Sequence, residues 1–212
     1  MEDIRVGGYL RLLRGIVHRA RGKLDEYVRN RHVLPMSSRR LFVALRPPED
    51  VAEALLDSME GVPGARWQDA DNLHVTLRFV GEVDRHTAAD LTTALESVLF
   101  APFPIRISGV GHFEGKGRAR AIWARIGPSA ELDLLQMRVE MACRRAGLPS
   151  ETRRFTPHIT LARLNSGSGF IGDWLHANGA LSLGPWQVDG FSLFESDLTP
   201  NGAIYSEITK FP

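Results

Sequence analysis

One cysteine, Cys143, stands alone in a chain of 212 residues. No internal disulfide can form, and no second thiol is there to share a metal, so a reducing, cytoplasmic setting is expected. Cys143 falls on the apolar side of an expected helix and reads as a small core residue. No apolar run reaches the roughly 20 residues of a membrane span. The first residues lack both a long apolar core and a small-residue cleavage pattern, which argues against a secretory signal. No stable membrane association is expected. The glycine-rich stretch 109–117 fails as a phosphate loop, because Lys116 is followed by Gly117 and not by Ser or Thr. It reads instead as a hairpin turn.

What is present is an ordinary soluble composition, 43% hydrophobic and 24% charged. The length suits one large domain or two small lobes. The net charge of +1 hides an asymmetry. Residues 1–40 hold ten Lys and Arg against four Asp and Glu, while the remainder holds 16 against 21. Residues 1–38 read as a basic N-terminal extension. Tyr9, Leu12, Leu13, Ile16, Val17, Ala20, Leu24 and Val28 follow the spacing of one helical face. The functional body is expected over 39–212, and Met36 is a candidate start.

From Arg40 onward strands and helices alternate. Strands are expected over 41–45, 73–80, 105–113, 119–126, 155–161, 186–194 and 203–209. Helices are expected over 49–59, from an Asp84 cap to about 98, from 130 to about 146, and over 170–177. Gly147 and Pro149 stop the third helix. Gly81-Glu82 reads as the turn that ends the second strand.

Two of those strands carry nearly the same tetrapeptide, His74-Val75-Thr76-Leu77 and His158-Ile159-Thr160-Leu161. On a strand, residues two apart point to one face, so each copy offers an imidazole and a hydroxyl together. Val75, Leu77, Ile159 and Leu161 then face the core. Each half reads strand, helix, histidine strand, helix, strand. The expected fold is α+β: a bilobal, pseudo-two-fold duplication. Two mainly antiparallel sheets flank a central cleft, with the helices outside.

Two imidazoles on opposite walls suit general acid–base chemistry near neutral pH. Thr76 and Thr160 add one donor per wall. Arg163 adds a planar cation suited to phosphate, although a regular strand puts it on the face opposite His158. Stable zinc sites want three or four protein ligands, and no His-x-His, His-x-x-x-His or Cys pair adjoins either motif. No metal and no cofactor are expected.

The chain resembles the two-histidine phosphoesterase superfamily, and within it the RNA 2',3'-cyclic phosphodiesterases historically called LigT or 2'-5' RNA ligases. The likeness runs over about 40–211. It rests on the start Arg40-Leu41-Phe42-Val43-Ala44-Leu45 and on Leu73-His74-Val75-Thr76-Leu77-Arg78-Phe79-Val80-Gly81-Glu82. Gly109-Val110-Gly111-His112-Phe113 and Ile122-Trp123-Ala124 continue it, and its most specific run is Arg154-Phe155-Thr156-Pro157-His158-Ile159-Thr160-Leu161-Ala162-Arg163. Phe191-Ser192-Leu193-Phe194-Glu195-Ser196 and Gly202-Ala203-Ile204-Tyr205 close it.

The resemblance implies metal-independent opening of an RNA 2',3'-cyclic phosphate to a 2'-phosphate, with His74 as acid and His158 as base. Thr76, Thr160 and Arg163 match its phosphate-holding positions. The expected partners are single-stranded RNA ends or cyclic nucleotides, bound by a monomer. Phe42, Trp67 and Phe113 are candidates for stacking on a base, and Arg118, Arg120, Arg153 and Arg154 for steering the backbone. Two rival readings are the reverse reaction, RNA 2'-5' ligation, and a nucleotide- or RNA-binding module without turnover.

Overall fold

Short apolar and alternating stretches, punctuated by Pro and Gly, build the strands of the computed structural model, which describes residues 38–199 and 202–212. Arg39–Pro212 forms one compact unit. The N-terminal extension, Met36 as a start and the Pro200-Asn201 turn lie outside the described residues.

The order is β1 (Arg39–Leu45), α1 (Glu49–Leu56), β2 (Arg66–Trp67), a 3-10 turn (Ala70–Asn72), β3 (Val75–Val83) and α2 (Arg85–Glu96). Then come β4 (Phe103–Gly115), β5 (Arg118–Ile126), α3 (Ala130–Arg145), β6 (His158–Arg163), α4 (Gly172–Asn178), β7 (Ser182–Val188), β8 (Phe191–Thr199) and β9 (Gly202–Phe211).

Helix ends follow local chemistry. Asp84 accepts from the Thr87 amide at 2.8 Å and starts α2. Ser129 accepts from the Leu132 amide at 3.2 Å and starts α3, with Glu131 and Asp133 in its first turn and Arg144 and Arg145 in its last. Gly147, at φ +83°, ends α3. The Leu148 amide reaches the Cys143 carbonyl and the Gly147 amide reaches that of Arg144. This pair of bonds satisfies the last carbonyls and needs a left-handed residue at 147.

All the strands join one mainly antiparallel sheet in the order β7-β4-β5-β6-β3-β1-β8-β9, with β2 added alongside β6. The expected pair of sheets is therefore a single hydrogen-bonded sheet. Its centre is narrow: β3 and β6 share one pair, Val75 opposite Ile159. One face carries all four helices. There Leu41, Val43, Leu45, Val75, Leu77, Ile159 and Leu161 pack with Val51, Leu55, Leu91, Leu95, Leu135, Val139 and Cys143. Each such side chain, fully buried, contributes about 1.5–3 kcal/mol. Burial pushes the Cys143 thiol up to about 12. On the other face Phe42, Ala44 and Phe194 form a small cluster against Tyr205.

Several boundaries differ from the periodicity. The strand expected over 186–194 is two strands, β7 and β8, separated at Asp189-Gly190. A Cβ on Gly190 would lie 2.6 Å from the Phe211 carbonyl oxygen. The second motif's strand starts at His158 and not at Phe155, because Pro157 has no amide to give a ladder. β3 runs through Gly81-Glu82 to Val83. Gly81, at φ +86°, absorbs a register shift there and does not end the strand.

Candidate active site

The Val75–Ile159 pair sets the relation of the two motifs. One step along this antiparallel register on each side puts Thr76 across from His158, and Thr160 across from His74. The two histidines and two threonines therefore share the sheet face opposite the helices. Val75, Leu77, Ile159 and Leu161 are all 2% exposed or less on the core side. The alternation read from the sequence holds.

Each histidine is anchored in the same way. His74 Nδ1–H donates to the Asn72 carbonyl at 2.7 Å, and His158 Nδ1–H to the Thr156 carbonyl at 2.6 Å. This fixes the tautomer and leaves each Nε2 to take or give a proton. Each ring also sits against two aromatics. His74 has Phe42 at 4.9 Å and Tyr205 edge-on at 5.2 Å between centroids. His158 has Phe113 edge-on at 4.8 Å and Trp123 at 5.8 Å.

Burial among these rings disfavours imidazolium. It pushes His74 down to about 4 against the pull of the Asn72 carbonyl, with smaller repulsions from His158, Arg46 and Arg163. Burial also lowers His158, opposed by the Thr156 carbonyl and helped by Arg163. Arg163 therefore disfavours a proton on either ring.

Arg163 reaches this face through a bulge. Along the β5–β6 ladder, Trp123 faces Thr160 but Ile122 faces Ala162, so Leu161 is skipped. Leu161 and Ala162 are both turned to the core, and Arg163 returns to the side of His158 and Thr160. β3 does the same at the same place. Ala44 faces Thr76 but Val43 faces Arg78, so Leu77 is skipped and Phe79 returns to the cleft face. A regular strand would turn Arg163 to the opposite face; the residue skipped at Leu161 is what lets it stand with the motifs.

Two cavities flank the motifs and meet at Arg163. One, about 630 Å³, is lined by Thr76, Phe79, Phe113, Arg154, His158 and Arg163 among others. The other, about 670 Å³, is lined by Arg46, Arg66, Trp67, Asn72, Arg163 and Tyr205 among others. Trp67 is half-buried at the wall of the second, 5.9 Å from Trp174. Phe113 is 36% exposed and open to the first. Phe42 corrects the expectation of a stacking surface: it is 2% exposed and lies beneath His74, so it supports the imidazole and offers no face to a base.

Arg118 lies exposed at the foot of the β4–β5 hairpin, and Arg120 Nε donates back to the Gly115 carbonyl at 3.3 Å. Arg153 grips Glu151 through two bonds, at 3.1 and 2.7 Å, and these hold that carboxyl down at about 2.

Several residues at the site carried no motif signal. Arg46 and Arg125 follow β1 and close β5, one beside each motif. Their guanidinium groups lie 5.0 Å from the Phe194 ring and 5.6 Å from the Trp123 ring. Arg78, 7% exposed, donates to Glu140 at 2.6 Å and to the Pro149 carbonyl at 2.6 Å. It ties the β3 bulge to α3 and to the segment leading into His158. A basic residue inside an apolar strand pattern was the one available hint.

Fold and site together define an α+β protein whose central strands present two histidines and two threonines on one sheet face, with Arg163 returned to the same side. The chain belongs to the 2'-5' RNA ligase superfamily, whose family profile matches residues 47–200. It is 32% identical over 175 residues to an RNA 2',3'-cyclic phosphodiesterase of Archaeoglobus fulgidus, covering 81% of this chain and 99% of that one. It is 34% identical over 151 residues to an RNA 2',3'-cyclic phosphodiesterase of Aeropyrum pernix, covering 70% and 85%. Among solved structures, TT0787 of Thermus thermophilus superposes with a TM-score of 0.69 at 28% identity, covering 81% and 96%. LigT of E. coli, solved with 3'-AMP, shares the fold with a TM-score of 0.65 at 24% identity, covering 82% and 98%.

Proposed function

We propose that this chain hydrolyses RNA 2',3'-cyclic phosphate ends to 2'-phosphates without a metal. The observation that carries the reading is the pair of half-buried imidazoles, each locked through Nδ1 and each across from the other motif's threonine. His158 Nε2 takes a proton as a water oxygen attacks phosphorus. The bond from phosphorus to the ribose 3'-oxygen breaks, and His74 Nε2 gives that oxygen its proton. The product is a 2'-phosphomonoester with a free 3'-hydroxyl. Thr76, Thr160 and Arg163 hold the phosphoryl oxygens and oppose their growing charge. Among the described residues no three His, Cys, Asp or Glu side chains cluster as a metal site would require.

Roles and proton affinities pull against each other before a phosphate binds. His74, the acid, is pushed down to about 4 by its burial, and His158 is lowered as well. A phosphate anion between the rings favours imidazolium and returns the proton to His74.

The bound partner in this reading is a single-stranded RNA end or a cyclic nucleotide, with Phe113 as a face for a base. The protein acts as a cytoplasmic monomer, with residues 1–38 appended to a catalytic body over 39–212. Among the described residues no helix is long and apolar enough to cross a membrane. We read the body as an internal duplication. The sheet order is supporting evidence: it steps outward from the joint as β6-β5-β4-β7 on one side and β3-β1-β8-β9 on the other. The matching bulges after Thr76 and Thr160 support it further.

A second reading, 2'-5' ligation, draws support from the two cavities that meet at Arg163, since joining two RNA ends needs room for both. The test is incubation of a cyclic-phosphate-ended oligonucleotide with the full chain, with and without a 5'-hydroxyl strand. Release of a 2'-phosphate that EDTA does not inhibit, and that His74→Ala and His158→Ala each reduce by about 10²- to 10⁴-fold, supports hydrolysis. A 3'-phosphate product, or loss of activity to EDTA that zinc restores, overturns it.

A further inference from the structure

Each histidine has an arginine as a cross-strand neighbour. Arg125 pairs with His158 across the β5–β6 ladder. On the other side Leu45 pairs with Val75, and one further step along this antiparallel register sets Arg46 across from His74. The two arginines are positional counterparts. Each stands two residues past the one that faces a motif threonine, Trp123 in β5 and Ala44 in β1. Their surroundings differ. Arg125 lies over the Trp123 ring and lines neither cavity beside the motifs. Arg46 lines the cavity of about 670 Å³.

That cavity lies on the His74 side of the site. Its lining includes Asn72, whose carbonyl anchors the His74 ring, and Tyr205, which meets that ring edge-on. Against Asp69 and Asp71 the lining sets Arg46, Arg66 and Arg163, which leaves the wall net positive. The Arg46 guanidinium lies over Phe194, with an Asp71 oxygen 3.9 Å away. Asp71 is 94% exposed, so water screens this pair and the guanidinium can exchange it for a better-placed anion. The charge of Arg46 also reaches His74, where it disfavours a proton.

We propose that Arg46 holds the phosphate on the 5' side of the nucleotide that carries the cyclic phosphate. This rests on the hydrolase reading of the site, with His74 as the acid. His74 gives its proton to the 3'-oxygen, so the ribose lies on the His74 side of phosphorus. From C3' the sugar runs through C4' and C5' to the 5'-oxygen, which carries the next backbone phosphate outward on that same side. Arg46 meets it there, beside His74 and in the wall of the cavity. A guanidinium suits a phosphate because its planar donors take two oxygens at once. The enzyme then prefers an RNA end, or a 5'-phosphorylated nucleotide, over a cyclic phosphate on a bare nucleoside.

The test is calorimetric binding of adenosine 2'-phosphate and adenosine 2',5'-bisphosphate to the full chain and to Arg46→Gln, Arg46→Lys and Arg144→Gln. The two ligands differ only in the 5'-phosphate. The full chain is expected to bind the bisphosphate roughly 10-fold more tightly. Arg46→Gln is expected to bring that ratio to about twofold or less, and Arg46→Lys to keep part of it. Arg144 is exposed in the last turn of α3, on the helix side of the sheet. Arg144→Gln removes the same charge and should leave the ratio unchanged. Equal affinities in the full chain, a ratio that survives in Arg46→Gln, a loss as large in Arg144→Gln, or no binding of either ligand overturns the proposal. Turnover of adenosine 2',3'-cyclic phosphate, with and without a 5'-phosphate, is measured on the same samples. Its absence sinks the hydrolase reading, while the binding ratio still decides the role of Arg46.

Discussion

Val75 lies directly opposite Ile159, and this one pair is the joint between the two histidine strands. It makes each histidine the cross-strand neighbour of the other motif's threonine. In the proposed mechanism a substrate phosphate held by Thr76 is presented to His158, and one held by Thr160 to His74. Each expectation below follows from that arrangement.

The acid can be told from the base with a sulfur leaving group. A cyclic phosphorothiolate carrying sulfur at the 3' position leaves as thiolate and needs no proton. His74→Ala should recover at least about 10²-fold of its lost rate on that substrate relative to the oxygen one, while His158→Ala should not. Recovery by His158→Ala alone would reverse the two roles.

Burial of neutral His74 should make the fold acid-sensitive. Its folded pKa of about 4 lies below the ordinary 6.5, so protons bind the unfolded chain more tightly. Its contribution is complete above pH 6.5 and is lost as pH falls from 6.5 through 4. Between pH 7 and pH 4.5 the loss amounts to about 2–3 kcal/mol. Denaturant melts of His74→Gln should show a drop smaller by that amount. Equal drops in parent and variant would show that His74 titrates normally in the fold.

The pH–rate profile carries the same physics. In the proposed mechanism the productive state holds one proton between two imidazoles, and burial lowers both. The maximum of kcat/KM should fall between about 4 and 6.5, and the kcat maximum should lie higher, because bound phosphate favours imidazolium. A kcat/KM optimum above about pH 8 is incompatible with the observed burial.

Arg163 lines both cavities, and its charge disfavours a proton on either imidazole. Arg163→Lys keeps the charge but loses the planar pair of donors, and Arg163→Met loses both. The cost in kcat/KM should be about 10-fold for Lys and about 10²- to 10³-fold for Met. Steady-state kinetics on a cyclic-phosphate dinucleotide measures it. Near-normal activity of Arg163→Met would remove the residue from the site.

Arg78 is a structural counterpart to these. Its guanidinium is satisfied by Glu140, the Phe79 and Pro149 carbonyls and, at 3.5 Å, Glu151. Arg78→Met leaves Glu140 part-buried without its cation and should destabilise the fold by about 3–5 kcal/mol. Pairing it with Glu140→Gln should recover part of that loss in urea melts. A double variant no better than the single would mean that packing, not charge, is what Arg78 supplies.

Much of the fold was legible because period and punctuation are local. The run 41–45, Asp84 before α2 and Gly147 after α3 each act through their own few residues. Hidden features depended on distant partners. β2 is two residues long and exists because β6 is there to receive it. The break at Asp189-Gly190 follows from the approach of the Phe211 carbonyl.

By itself the amino-acid sequence determined which chemistry is possible here: two His-x-Thr strands, each with its polar pair on one face and its apolar pair on the other. Side-chain alternation is a property of the strand, so no distant contact was needed to read it. Only the tertiary structure decided who meets whom in the cleft. An extra residue in a strand costs little and is settled by what packs on either side. At Leu77 and Leu161 it turned Phe79 and Arg163 toward the histidines, and it sent Arg78 into the interior to meet Glu140.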